Sequence, residues 1–105
     1  MTMPTPDAGS KLLSVSGRSL TALFADWAER TPDKPFLVWA PFEGRGQTLG
    51  YAEFWALSGR VAAGLAARGV TAGSRVLIHM DNAPEFLLAW LASARLGAVA
   101  VTTNT

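Results

Sequence analysis

Past residue 18, apolar positions recur with helical spacing. Leu20, Leu23, Phe24 and Trp27 lie three, one and three residues apart, on one face of a helix. Ser19 is the expected N-cap, because its hydroxyl can accept a bond from an orphan N–H of the first turn. Thr31-Pro32 closes this helix, since proline disfavours helical backbone in the residue before it. Phe36 to Ala40 and Gln47 to Leu49 are extended runs on either side of a turn-rich break, Pro41 to Gly46, and together predict a hairpin. A second helix runs over Tyr51 to Arg68, striped by Phe54, Leu57, Val61 and Leu65, with Gly69 as its left-handed stop. Gly59 and Gly64 inside it each cost up to about 1 kcal/mol relative to Ala. Their small size predicts close packing on a neighbour.

The last third changes pattern. Arg75 to Met80 is a nearly unbroken apolar run, Ala83 to Leu96 is helical with Phe86, Leu87, Trp90, Leu91 and Ala94 on its apolar face, and Ala98 to Val101 is a second apolar run after Gly97. Strand, helix and strand in so short a stretch form a βαβ unit with a right-handed crossover. Unbroken apolar strands predict a parallel sheet covered on both faces. Asn82 is the expected N-cap of the third helix, with Glu85 completing a capping box and Pro84 in the first turn. The fold class is therefore α/β: a mostly parallel sheet packed by helices, preceded by a flexible leader over residues 1–18 rich in Pro, Thr, Ser and Gly, in which Met3 offers an alternative start.

Composition narrows the functions. Half of the 105 residues are apolar and 16% are charged, a globular balance. Nine basic residues against eight acidic ones, scattered along the chain, leave no footprint for nucleic acid or an anionic membrane. The absence of cysteine excludes disulfides, thiolate metal sites and a cysteine nucleophile, and one histidine cannot build a histidine-rich metal site. The most apolar stretch, Phe86 to Val101, is interrupted by Arg95 and Gly97 and is shorter than the roughly 20 residues of a membrane span. The opening residues lack a basic region followed by an apolar run, so the expected location is cytoplasmic.

Four features carry chemistry of their own. His79 sits in the first apolar strand, where a satisfied core histidine is the expected role. Trp27, Trp39, Trp55 and Trp90 could stack on an adenine ring, but their positions favour burial. Gly44-Arg45-Gly46 could cradle a phosphate through its N–H groups, although a hairpin turn explains it better. Asp81-Asn82 offers oxygen donors for Mg²⁺ with no second carboxylate beside them.

The order of elements and the residues themselves resemble the adenylate-forming superfamily. The likeness is carried by "LTALFADWAERTPDKPFLVW" and by "TLGYAEFWALSGRVAAGLAARGVTAGSRVLIHMDNAPEFLLAWLASARLGAVAVTTNT". Within the second lie a Tyr-x-Glu helix start, Ala-x-x-Leu-x-x-x-Gly-Val, Gly-x-Arg-Val before an apolar strand, Asn-x-Pro-Glu-Phe, and Leu-Gly-Ala-Val with an Asn just beyond. The pattern is similar in particular to acyl-CoA synthetases of the carnitine- or crotonobetaine-CoA ligase type. It covers residues 19–105, which would form an incomplete N-terminal subdomain of such an enzyme. Two departures stand out: Gly50 in place of a Thr or Ser before Tyr51, and Thr102-Thr103 in place of Pro-Leu.

The resemblance implies a two-step reaction. A carboxylic acid attacks the α-phosphate of ATP with Mg²⁺ present, giving an acyl-adenylate and pyrophosphate, and coenzyme A then displaces AMP. It also implies a Ser/Thr/Gly-rich phosphate loop, a metal-binding Glu, a ribose-binding Asp and a lysine from a mobile C-terminal domain. None of these motifs matches a stretch of this sequence, and its two lysines, Lys11 in the leader and Lys34 in a turn, are not at the catalytic position. No catalytic, cofactor-binding or metal-binding residue is therefore assigned, and ATP, Mg²⁺ and coenzyme A are expected to bind the whole enzyme, not this segment.

Two accounts follow. In the first, the chain is the N-terminal segment of a longer synthetase, whose remainder and carboxylic acid substrate are its partners. In the second, it is a short non-catalytic protein or remnant that binds a partner. In both, a strongly apolar last strand and three helices for two sheet faces predict exposed apolar surface, self-association and low solubility of the segment alone.

Overall fold

The computed structural model describes residues 19–104; the leader expected over 1–18, with Met3 and Lys11, lies outside them. The element order is α1 (Leu20–Arg30), β1 (Pro35–Trp39), β2 (Gln47–Gly50), α2 (Tyr51–Ala67), β3 (Arg75–His79), α3 (Pro84–Arg95) and β4 (Val99–Thr103). β1 and β2 pair antiparallel, and β3 and β4 pair parallel with α3 as the crossover. The α/β architecture with its βαβ unit thus stands as read from the sequence.

Helix starts are satisfied in three different ways. The Ser19 hydroxyl accepts from the Ala22 N–H at 3.0 Å, a side-chain cap as expected. Gly50 has no side chain to cap α2. Instead the Tyr51 N–H donates to the Lys34 carbonyl at 3.0 Å and the Ala52 N–H to the Pro32 carbonyl at 3.1 Å. A Cβ on Gly50 would meet those carbonyl oxygens at 3.4 and 3.2 Å. The Pro32–Lys34 turn has thus taken the place a capping Ser or Thr would need.

At α3 the expected capping box is not formed. The N-cap is Ala83, not Asn82, and it makes no side-chain cap. Pro84 is the reason: it holds the residue before it extended, and Ala83 has φ −163° and ψ 165°. Proline therefore occupies the first helical position, where its missing N–H is harmless.

Both later helices end in the same backbone motif. Past α2, the Gly69 N–H donates to the Ala66 carbonyl at 3.0 Å and the Val70 N–H to the Leu65 carbonyl at 3.1 Å, with Gly69 at φ +97°. Past α3, Gly97 at φ +70° donates to the Ala94 carbonyl at 3.1 Å, and the Ala98 N–H to Ser93 at 2.9 Å. A Cβ on Gly69 would meet nothing within 4 Å, so its cost would be purely conformational. Gly69→Ala should lower stability by about 1–2 kcal/mol. An unchanged urea midpoint would show that the left-handed turn is not needed there.

The core lies between α1, the hairpin, α2 and α3, around Phe24, Leu49, Phe54 and Leu91. Phe24, Phe36, Tyr51, Phe54 and Trp55 form one aromatic cluster, with Phe36 and Phe54 ring centres 4.7 Å apart. α2 and α3 meet through small residues, Ser58, Ala62, Ala92 and Ser93, all buried. The two serine hydroxyls donate to carbonyls of their own helices, Ser58 to Trp55 at 2.7 Å and Ser93 to Ala89 at 2.8 Å. Gly59 acts as expected, admitting the Arg95 side chain of α3. Gly64 does not: the nearest side chain to it is that of Arg68 in the same turn.

The parallel sheet departs from expectation. Within this chain α3 covers one face, over Val76, Ile78 and Ala100, and the opposite face is open. The structure thus carries the exposed apolar surface predicted from the shortage of helices.

Candidate functional site

Parallel strands gather their carboxyl ends at one edge of a sheet, and a βαβ turn leaves a crevice there. β3 and β4 do so here. Met80, Asp81, Asn82 and Phe86 from the β3–α3 turn face Thr102, Thr103 and Asn104 across a crevice of about 300 Å³. Asn82 and Phe86 also border an adjoining apolar cleft of about 240 Å³, walled by Leu37, Trp39, Ala83 and Leu87. The two together make a groove, polar at the strand ends and apolar towards the hairpin.

His79 stands beside this crevice and is exposed, which corrects its expected place in the core. Its Nδ1 lies 2.6 Å from the Thr103 Oγ1, its partner in the parallel register. An unbroken apolar run hides the alternation of a strand. Val76 and Ile78 point to α3, so Arg75, Leu77 and His79 must point away. Thr102 and Thr103 lengthen β4 beyond the expected Val101, where proline would have interrupted the ladder.

The other candidates disperse. Trp27, Trp39 and Trp55 are half-buried in separate elements, and Trp90 is exposed, contrary to the burial expected of it. Gly44-Arg45-Gly46 lies in the hairpin loop, with Gly44 at φ +88°. A Cβ on Gly46 would come within 2.8 Å of the Trp39 carbonyl oxygen, so that glycine serves the turn. Lys34 contributes its carbonyl to the start of α2. Among the described residues, no three His, Cys, Asp or Glu side chains come together in a way that could hold a metal ion. Asp81 and Asn82 lie at the mouth of the crevice, with Asp81 the one carboxylate that lines it. Within the described residues no helix is long and apolar enough to cross a membrane.

Arg95 is a residue the sequence reading passed over as an interruption. Its guanidinium lies over the Trp55 ring, 3.7 Å from the centroid, and donates to the Trp55 carbonyl at 2.7 Å and to the Ser58 Oγ at 2.9 Å. Desolvation by burial holds its pKa below the usual arginine value, and the group stays charged at neutral pH. The basic residue among apolar neighbours, opposite a glycine on the preceding helix, was the available signal.

Residues 24–105 match the family described as "AMP-binding enzyme". The chain belongs to the AMP-binding enzyme family. A crotonobetaine/carnitine–CoA ligase of Salmonella paratyphi A is 34% identical over 90 residues, which is 86% of this chain and 17% of the ligase. A 4-coumarate–CoA ligase 5 of Oryza sativa subsp. japonica is 52% identical over 59 residues, 56% of this chain and 11% of that one. Among solved structures, a fatty acyl CoA synthetase of Mycobacterium tuberculosis superposes with a TM-score of 0.71 at 34% identity, covering 78% of this chain and 16% of that chain. This segment therefore spans less than a fifth of the length of each of these proteins, and its fold matches part of the N-terminal subdomain of adenylate-forming enzymes.

Proposed function

We propose that this chain is the N-terminal part of an ATP-dependent acid–CoA ligase. The observation that carries the reading is a family match over residues 24–105. In the proposed reaction a carboxylate oxygen attacks the α-phosphorus of ATP, the bond to pyrophosphate breaks, and an acyl-adenylate forms. The coenzyme A sulfur then attacks the acyl carbon and AMP leaves. The segment's part is architectural. Its aromatic core and the Arg95 bridge between α2 and α3 hold a rigid platform against which the substrate pocket is built from residues beyond it. No residue described above is given a catalytic, nucleotide-binding or metal-binding role.

Replacing the aligned 90 residues of the Salmonella ligase by the matching stretch of this chain tests the reading. The chimera should release pyrophosphate from ATP in the presence of that ligase's acid at a rate within about tenfold of the parent, a barrier change of roughly 1.4 kcal/mol. A soluble, folded chimera without activity would overturn it. The 105-residue chain alone should give no binding heat with Mg-ATP. A tight site in calorimetry would contradict the architectural role.

A further inference from the structure

α1, β1, α2 and α3 leave an apolar cleft of about 140 Å³ between them. Phe24, Phe54 and Leu91 form its buried floor, and Leu20, Phe36 and Trp90 stand at its rim. Leu20 is 50% exposed, and Phe36 and Trp90 are each 37% exposed, so three large apolar side chains meet solvent at one spot. Every residue that lines the cleft is apolar, so water inside it finds no polar side chain to bond. An apolar cavity of about 150 Å³ holds one benzene-sized group. Leu20 lies in the first turn of α1, and helical side chains lean towards the N-terminus, so it reaches back towards the residues that precede the helix.

We propose that this cleft is the seat of the leader's own aliphatic residues, Leu12, Leu13 and Val15, which lie outside the described residues. They are the only leucines and valine in the first 18 positions, which are otherwise rich in Pro, Thr, Ser and Gly. Val15 and Leu12 precede Leu20 by five and eight residues, so fully extended backbone carries them at most about 18 and 29 Å from that rim residue. Ser19 fixes the entry. Its backbone is extended, at φ −80° and ψ 154°, and its hydroxyl caps α1, so the leader joins the helix in a defined direction. The tether makes the encounter intramolecular, at an effective concentration on the order of millimolar, which a second copy reaches only in concentrated solution. Lys11 before the aliphatic residues and Ser16 and Arg18 after them can remain in water while the leucines are buried.

The chain has no cysteine, so a single introduced thiol reports on a single position. Leu13→Cys and Met3→Cys would be made in the full 105-residue chain, with folding checked by circular dichroism. Maleimide labelling of each would be timed in dilute solution and divided by the rate of the same variant in urea. Leu13→Cys should label about tenfold more slowly in the folded chain than in urea, and Met3→Cys at its urea rate. Trp90→Gln and Leu20→Gln each change a rim residue and leave the buried floor intact. Either should return Leu13→Cys to the relative rate of Met3→Cys. Equal relative rates for the two thiols in the folded chain would overturn the proposal. So would protection that neither rim substitution lifts, since Leu13 would then be seated elsewhere. Protection that disappears on dilution would overturn it too, since a second copy would then supply the cover.

Discussion

Phe54→Ala should cost about 3–5 kcal/mol and leave much of the protein unfolded at room temperature. Phe54 is 1% exposed, and its ring stands 4.7 Å from that of Phe36 and 5.7 Å from that of Phe24. Removing it deletes the shared wall between α1, the hairpin and α2, and a helix held at both ends cannot move in to fill the space. Domains are stable by about 5–15 kcal/mol in total, and small ones sit at the low end. The control is Phe42→Ala, whose ring is fully exposed in the hairpin loop and whose loss should stay within about 0.5 kcal/mol. Urea titrations followed by far-ultraviolet circular dichroism would compare the two. Similar midpoints for both variants would mean that the aromatic cluster is not what holds the three elements together.

Arg95→Ala should cost about 2 kcal/mol, by loss of the stack on Trp55 and of two charged hydrogen bonds. The sharper result concerns its neighbour. Gly59→Ala should raise helix stability by up to about 1 kcal/mol. In the native protein, however, the new Cβ would lie 3.2 Å from Nη1 and 3.4 Å from Nη2 of Arg95. That guanidinium is tethered to the Trp55 carbonyl at 2.7 Å and yields only by weakening the bond. The gain should therefore vanish with Arg95 present and appear in the Arg95→Ala background, a coupling on the order of 1 kcal/mol. Chemical denaturation of the four proteins of this cycle measures it. Equal effects of Gly59→Ala in both backgrounds would show that the two residues do not share the space.

Much of the fold was legible because its signals are local. The stripe of Leu23, Phe24 and Trp27, the Ser19 cap, the stops at Gly69 and Gly97, and the strand–helix–strand order each depend on residues within a few positions of one another. The family resemblance was legible for a related reason: caps, stops and strand runs in a set order leave a series of short motifs in the chain. The capping box at Asn82 was misread although the deciding residue was in view. Pro84 makes its predecessor extended, and that places the cap at Ala83.

The open questions of the sequence were those of orientation and company. Unbroken apolar strands do not say which side chains face a helix, so the exposure of His79 and of Leu77 became visible only once α3 lay on the opposite side. Burial of Ser58 and Ser93 follows from the close approach of α2 and α3 and has no hydrophobic signature. The cap of α2 comes from carbonyls at Pro32 and Lys34, which a chain reversal alone brings to Tyr51 and Ala52. The sequence by itself determined the elements, their order and the family, because backbone preference and periodicity act over a few residues. The tertiary structure decided which faces are covered, where Arg95 is held and which apolar surface is left open, because each of these depends on contacts between residues far apart in the chain.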